Sequence, residues 1–293
     1  MLTGWVGGGT WYWVCQVRDL CEPQPATQAP VAPAFQIDPL RVLYGDTTLY
    51  EAADNFRFAR SAAQGRTAAA VSTLLDSVAA HLAAHPGRDI EITADYAPGE
   101  AAAQGYSNLG LGRAAFVADA LLSRGVDPAR IIKLPRRGTD SLLFARGDTL
   151  FGGVALRILD RESAALPADS LATGQVPAPA PVFESRNLYF AFNSFDLDLD
   201  EDMRDYITRT IQYLRGRPDQ RLVLTGHTDN VGTAATNRAL GLDRAGTIRQ
   251  FFVEFGLDAA QIETRSEGMK RPIAPNDTEE GRARNRRVEI AVQ

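Results

Sequence analysis

Two stretches of this chain repeat each other in register. "LGLGRA" (109–114) superimposes on "LGLDRA" (240–245), and the same offset places Gly125 on Gly256, Asp127 on Asp258 and Ile131 on Ile262 without a gap. Helical periodicity alone does not produce that identity; a tandem duplication does. A chain of 293 residues with this internal echo is expected to hold two copies of one unit, each of ordinary domain size.

The second copy has the clearer pattern. "NLYFAFNS" (187–194) alternates aromatic residues as a strand does. "DEDMRDYITRTIQYL" sets Met203, Tyr206, Ile207, Ile211 and Leu214 at helical spacing behind an acidic start that suits the helix dipole. "QRLVLTGH" reads as a strand. Asn237 to Phe255 then reads as a helix with Leu240, Ala245, Ile248, Phe252 and Phe255 on one face, stopped by Gly256. "QIETRSEG" and "RRVEIAVQ" supply two more strands. The first copy follows the same order: a helix over 68–84, the strand "RDIEITADY", a helix over 106–124 ended by Gly125, then "RIIKL" and "GGVALRIL". The fold class is α/β: two tandem βαβαββ two-layer sandwiches. Proline- and alanine-rich stretches, "EPQPATQAPVAPAF" (22–35) and "LPADSLATGQVPAPAPVF" (166–183), read as extended spacers. The organisation is a membrane-proximal segment 1–21, a linker 22–38, a domain 39–160, a linker 161–183 and a domain 184–293.

The net charge of −5 argues against nucleic acid as a partner. Cys15 and Cys21 have neither CxxC spacing nor a nearby metal-ligating histidine, so a small disulfide loop is favoured over two unrelated thiols, and with it an oxidising compartment. "MLTGWVGGGTWYWVC" lacks a basic n-region and a cleavage motif, and is shorter than the roughly 20 apolar residues of a spanning helix. Its Trp11-Tyr12-Trp13 cluster suits a membrane–water interface, as the outer end of an anchor whose earlier part precedes Met1. The competing reading is a hydrophobic tag that docks onto a partner protein.

"TGHTDNVG", "NRALGLDRA" and "SEGMKRPIAPNDTEEGRARNRRVEI", in that order, resemble the OmpA-like C-terminal domain shared by Pal-type lipoproteins and MotB-type stator proteins, over about 187–292. The resemblance implies a periplasmic, membrane-anchored module of a Gram-negative-type envelope. It grips peptidoglycan non-covalently through the diaminopimelate of the stem peptide, without catalysis, cofactor or metal. The chemistry is compatible. Diaminopimelate offers a carboxylate and an ammonium on one carbon, so its receptor needs one anion and one fork-shaped donor. Asp229 would accept the ammonium, and Arg244 would bind the carboxylate bidentately. Matching positions add Thr228 through its backbone, Asn237 at the helix start, Arg286 at the pocket edge and Asn193 at the end of the first strand. Gly241 departs from the family's small polar residue, with a weaker helix start and an intact pocket expected.

Simpler readings stand beside these: Asp229 as a turn cap, Arg244 as a surface helix residue. His227 has no second histidine or cysteine near it, so its expected role is structural hydrogen bonding. "DLDLDED" (196–202) lacks the glycine and glutamate of a calcium loop and reads as an acidic helix start. In the first copy Arg113 matches Arg244, but Ala97 or Pro98 stands in place of Asp229 and Gly152 in place of Arg286. That copy is expected to keep the scaffold, lose the pocket and serve as a docking surface for a membrane complex. Two alternatives remain open: an interaction subunit of a larger assembly in which wall binding is secondary, and an enzyme acting on the wall. No nucleophile–base pair, zinc ligand set or paired carboxylates support the enzyme.

Overall fold

A computed structural model of the protein describes residues 38–101, 103–138, 147–161, 185–189 and 199–293. The Cys15–Cys21 loop, the aromatic membrane-proximal segment, both Pro/Ala-rich stretches and Asn193 lie outside these residues. The described residues all belong to one compact unit. No helix among the described residues is long and apolar enough to cross a membrane.

In the first half, strands β1 (Leu40–Tyr44) and β2 (Thr47–Ala52) form a hairpin that the sequence reading did not anticipate. Two short strands, β3 (Arg57–Ala59) and β4 (Gly65–Arg66), precede helix α1 (Ala69–Ala84). Strand β5 (Arg88–Tyr96), helix α2 (Leu109–Leu122) and strand β6 (Ile131–Arg137) follow, then β7 (Thr149–Phe151) and β8 (Val154–Asp160). The main sheet runs β2-β1-β8-β5-β6, and β4-β3-β7 form a small second sheet. The second half contains β9 (Arg186–Tyr189), α3 (Glu201–Arg215), β10 (Leu222–His227) and α4 (Ala234–Phe255). It closes with β11 (Ile262–Gly268), α5 (Glu279–Asn285) and β12 (Arg287–Val292), in sheet order β11-β10-β12-β9.

The two sheets share a centre. β5 lies parallel to β6 and antiparallel to β8, just as β10 lies parallel to β11 and antiparallel to β12. They differ at one flank: β9 is antiparallel to β12, whereas β1 is parallel to β8. The extra hairpin strand reverses the direction at that position.

Helix α3 shows how the halves meet. Ile207, Ile211 and Leu214 are fully buried in the second core, as their spacing predicts. Asp205, Thr208, Gln212 and Arg215 recur at intervals of three and four residues, so they form a second stripe on the same helix. Such a polar stripe ordinarily faces water. Here it faces the first half. Thr208 Oγ1 donates to Glu91 Oε2 at 2.5 Å, and Arg157 bridges Glu91 and Asp205. Gln212 Nε2 donates to the Asp160 carbonyl at 3.2 Å, and Arg215 donates to the Ile131 carbonyl at 2.9 Å. Leu111, Ile132 and Leu134 of the first half join the second half's core, and Ser107 donates twice to Glu254. These bonds give the buried Glu91 carboxylate, the Thr208 hydroxyl and the Gln212 amide partners across the interface, which offsets the cost of burying them.

Candidate functional site

The site forms where β10 ends and α4 begins. Two glycines allow it. A Cβ on Gly226 would lie 1.8 Å from the Gly241 carbonyl oxygen, and one on Gly241 would lie 2.4 Å from Ser266 Oγ. α4 therefore rests directly on β10, and Arg244, one turn further along, reaches the carbonyl of His227 at 3.3 Å. This corrects the expectation for Gly241. The helix starts at Ala234, capped by Thr233, whose hydroxyl accepts from the Thr236 amide at 3.1 Å. Gly241 lies mid-helix, where its missing side chain sets the approach of helix to strand and leaves the helix start untouched. Gly256 ends the helix with φ of 111°, as its place in the sequence predicts.

Asp229 follows the strand and is 7% exposed. Its Oδ1 accepts the Val231 amide at 3.1 Å and its Oδ2 accepts from Arg286 Nη1 at 3.1 Å. A carboxylate has about four lone-pair positions, so two such bonds orient it without exhausting it. Arg244 is 4% exposed. Burial pushes its guanidinium pKa down, the Asp229 carboxylate offsets this and Arg286 adds to it. Arg286 is 5% exposed and also holds Glu279 at 2.8 Å. One acid thus stands among two buried arginines, with a second acid outside. The sequence placed Arg286 at the pocket edge; the structure makes it the partner that aims Asp229.

The remaining expected residues sort by what they bond. Asn237 Nδ2 donates to the Val231 carbonyl at 3.0 Å and so pins the loop carrying Asp229. Thr228 is at the site, but its amide donates to the Gly268 carbonyl at 3.0 Å and its hydroxyl to the Asp229 carbonyl. The proposed use of that amide for a ligand carboxylate is therefore corrected: it serves the join of β10 to β11. His227 is 1% exposed, and neither ring nitrogen has a hydrogen-bond partner among the described residues; Glu289 Oε2 lies 3.6 Å away. Burial first, then Arg287, pushes its pKa down to about 4, so the ring is neutral. Its backbone carbonyl serves the site, and the hydrogen bonding expected of its ring is corrected: burial has left both ring nitrogens without such a bond among the described residues. The acidic start of α3 is as read: Asp200 caps it by accepting the Met203 amide at 2.8 Å.

Sequence reasoning missed α5, which delivers Arg286. Thr278 caps that helix by accepting the Gly281 amide, and the Thr-Glu-Glu run at 278–280 was the available signal. Glu279 and Asn285 both come from it. Asn285 is fully buried and accepts the amides of Ile273 and Ala274, fixing the loop on the far side of the site.

The first half also buries an arginine beside the end of a strand. Arg113 is fully buried and donates to the Asp95 carbonyl at 2.7 Å, as Arg244 does to a carbonyl at the end of its own strand. No acid stands at Asp229's place, where the sequence has Ala97 or Pro98. Glu100 fills the site instead: it accepts from Arg113 at 2.6 and 3.0 Å and from the amides of Ser61 and Ala97. The arginine there has its carboxylate supplied from within.

The second half is a small α/β domain that buries one acid, Asp229, and one arginine, Arg244, at a single strand–helix junction. The sequence signature of the OmpA family matches residues 189–286, so the chain carries an OmpA family domain over that stretch. The chain is 42% identical over 102 residues to the peptidoglycan-associated lipoprotein of Pseudomonas aeruginosa, covering 35% of this chain and 59% of that one. It is 40% identical over 88 residues to the peptidoglycan-binding protein ArfA of Mycobacterium tuberculosis, covering 30% of this chain and 27% of that one. It is 36% identical over 129 residues to outer membrane protein A of Bordetella avium, covering 42% of this chain and 66% of that one. The chain thus spans less than two thirds of the length of each of these curated relatives.

Proposed function

We propose that this protein is a non-enzymatic anchor that ties an envelope membrane, or a complex within it, to peptidoglycan by binding the diaminopimelate of the stem peptide. The observation that carries the reading is the Asp229–Arg244 pair, two opposite charges buried to 7% and 4% exposure at one strand–helix junction. Asp229 takes the ammonium, with Arg286 holding its carboxylate in line. Arg244 takes the carboxylate. Charge-assisted bonds of this kind contribute roughly 1.5–3 kcal/mol each. A single grip of that size is weak, and many copies along a continuous wall make it firm. Two of the similar proteins bear names that place them on peptidoglycan, which supports the same reading.

The first half acts as a rigid buttress and a surface toward the membrane side. The N-terminal segment places the chain at a membrane of a Gram-negative-type periplasm. Co-sedimentation with purified peptidoglycan tests the proposal. The full chain is expected in the pellet, with Asp229→Ala and Arg244→Ala in the supernatant and free meso-diaminopimelate competing. Pelleting of both variants like wild type would remove the reading's chemical basis.

A further inference from the structure

Six large hydrophobic side chains are exposed among the described residues, and three of them stand on segments hydrogen-bonded to the site: Val231 at 65%, Met269 at 36% and Ile273 at 44%. Each is fixed by the site's own polar network. The Val231 amide donates to Asp229 Oδ1, and its carbonyl accepts from Asn237 Nδ2. The same Asn237 nitrogen lies 3.6 Å from Met269 Sδ, and Met269 follows Gly268, whose carbonyl takes the Thr228 amide. The Ile273 amide donates to Asn285 Oδ1 at 2.8 Å, in the residue preceding Arg286. Their backbones are held while their side chains face water. Isolated exposed apolar residues need no explanation, but several held on segments tied to one charged site point to a binding surface.

We infer that Val231, Met269 and Ile273 form an apolar collar that reads the hydrocarbon next to the bound zwitterion. Diaminopimelate has two amino-acid ends joined by three methylenes. When the free end sits on Asp229 and Arg244, the methylenes must cross the rim to reach the end held in the peptide. The collar is the surface they cross. The site therefore measures spacer length as well as charge. This inference rests on the wall-binding proposal and adds Val231, Met269 and Ile273 as specificity-determining residues.

The test is a chemical-shift titration of the full chain with a series of diamino dicarboxylic acids: diaminoglutarate, diaminoadipate and diaminopimelate, with one, two and three methylenes. Affinity for wild type should rise about threefold per methylene, near what burial of a methylene supplies. The combined variant Val231→Ser, Met269→Ser, Ile273→Ser should bind all three with the affinity wild type has for the shortest. Each single variant should flatten part of the slope, and the exposed positions leave folding intact. An equal slope in the combined variant, or no slope in wild type, overturns the collar. If wild type binds none of the series, or Asp229→Ala binds as well as wild type, the failure lies with the wall-binding proposal instead.

Discussion

Replacing Glu100 by alanine exposes what the first half does with its arginine. Glu100 and Arg113 have side chains 1% and 0% exposed, and their shortest contact is 2.6 Å. Without the carboxylate, Arg113 retains the carbonyls of Asp95 and Ala62 and the Phe58 ring but no counter-charge, and the amides of Ser61 and Ala97 lose their acceptor. Removing one partner of a buried pair leaves the other charge uncompensated, at about 3–5 kcal/mol. That is a large part of the 5–15 kcal/mol that keeps a domain folded. The urea midpoint should fall accordingly, and 0.1 M formate should restore more of it than chloride does by entering the vacated carboxylate position. Replacing both partners together, Glu100→Leu with Arg113→Met, should cost much less than Glu100→Ala. Acidification gives an independent reading. Burial pushes the Glu100 pKa up, but the bonds from Arg113 and the two amides outweigh it and leave the group below 4.5. Its stabilisation is thus present above that pH and lost as the pH falls through the folded value, and Glu100→Gln should remove that segment of the pH profile. A Glu100→Ala midpoint equal to wild type would show that Arg113 needs no counter-charge, and the idea of a self-filled site would fail.

Three further outcomes follow from the packing. Arg157→Ala removes the bridge between Glu91 and Asp205 and should cost about 1–2 kcal/mol, since Arg157 is 34% exposed; urea unfolding should split into two transitions as the halves uncouple, and a single unshifted transition would contradict the interface. Gly226→Ala forces α4 off β10 and should cost about 1–3 kcal/mol while lowering ligand affinity, checked by thermal melting and titration of the same sample. His227 has a folded pKa of about 4 against an ordinary 6.5, so the unfolded chain takes up a proton first as pH drops; stability should decline from about pH 6.5 toward 4, and His227→Gln should lack that decline.

The elements that the sequence made legible are those whose chemistry is local. The apolar positions Ile207, Ile211, Ala245, Ile248, Phe252 and Phe255 are all buried to 1% exposure or less, because helical spacing dictates which side faces the core. Gly256 stops its helix because its left-handed φ favours glycine. Asp229 and Arg244 meet because one strand–helix unit carries both. What could not be read depends on partners distant in sequence. The stripe Asp205, Thr208, Gln212, Arg215 looks solvent-facing until Glu91, Asp160 and Ile131 are brought against it. Glu100 sits in a loop with no periodicity, and only the folded backbone reveals that it returns to Arg113. Gly241 reads from the sequence as weakening the helix start, and its use becomes visible only when Gly226 lies under it.

The central claim is that Asp229 and Arg244 hold the two charges of one ligand carbon. A double-mutant cycle measured by titrating a diaminopimelate-containing peptide into folded wild type, Asp229→Ala, Arg244→Ala and the double variant tests it most directly. Each single change should cost on the order of 2 kcal/mol, more than tenfold in affinity. The double variant should be scarcely weaker than either single one, because losing one contact already frees the shared carbon. Single variants that bind like wild type, or costs that simply add, would contradict a common zwitterion held by this pair.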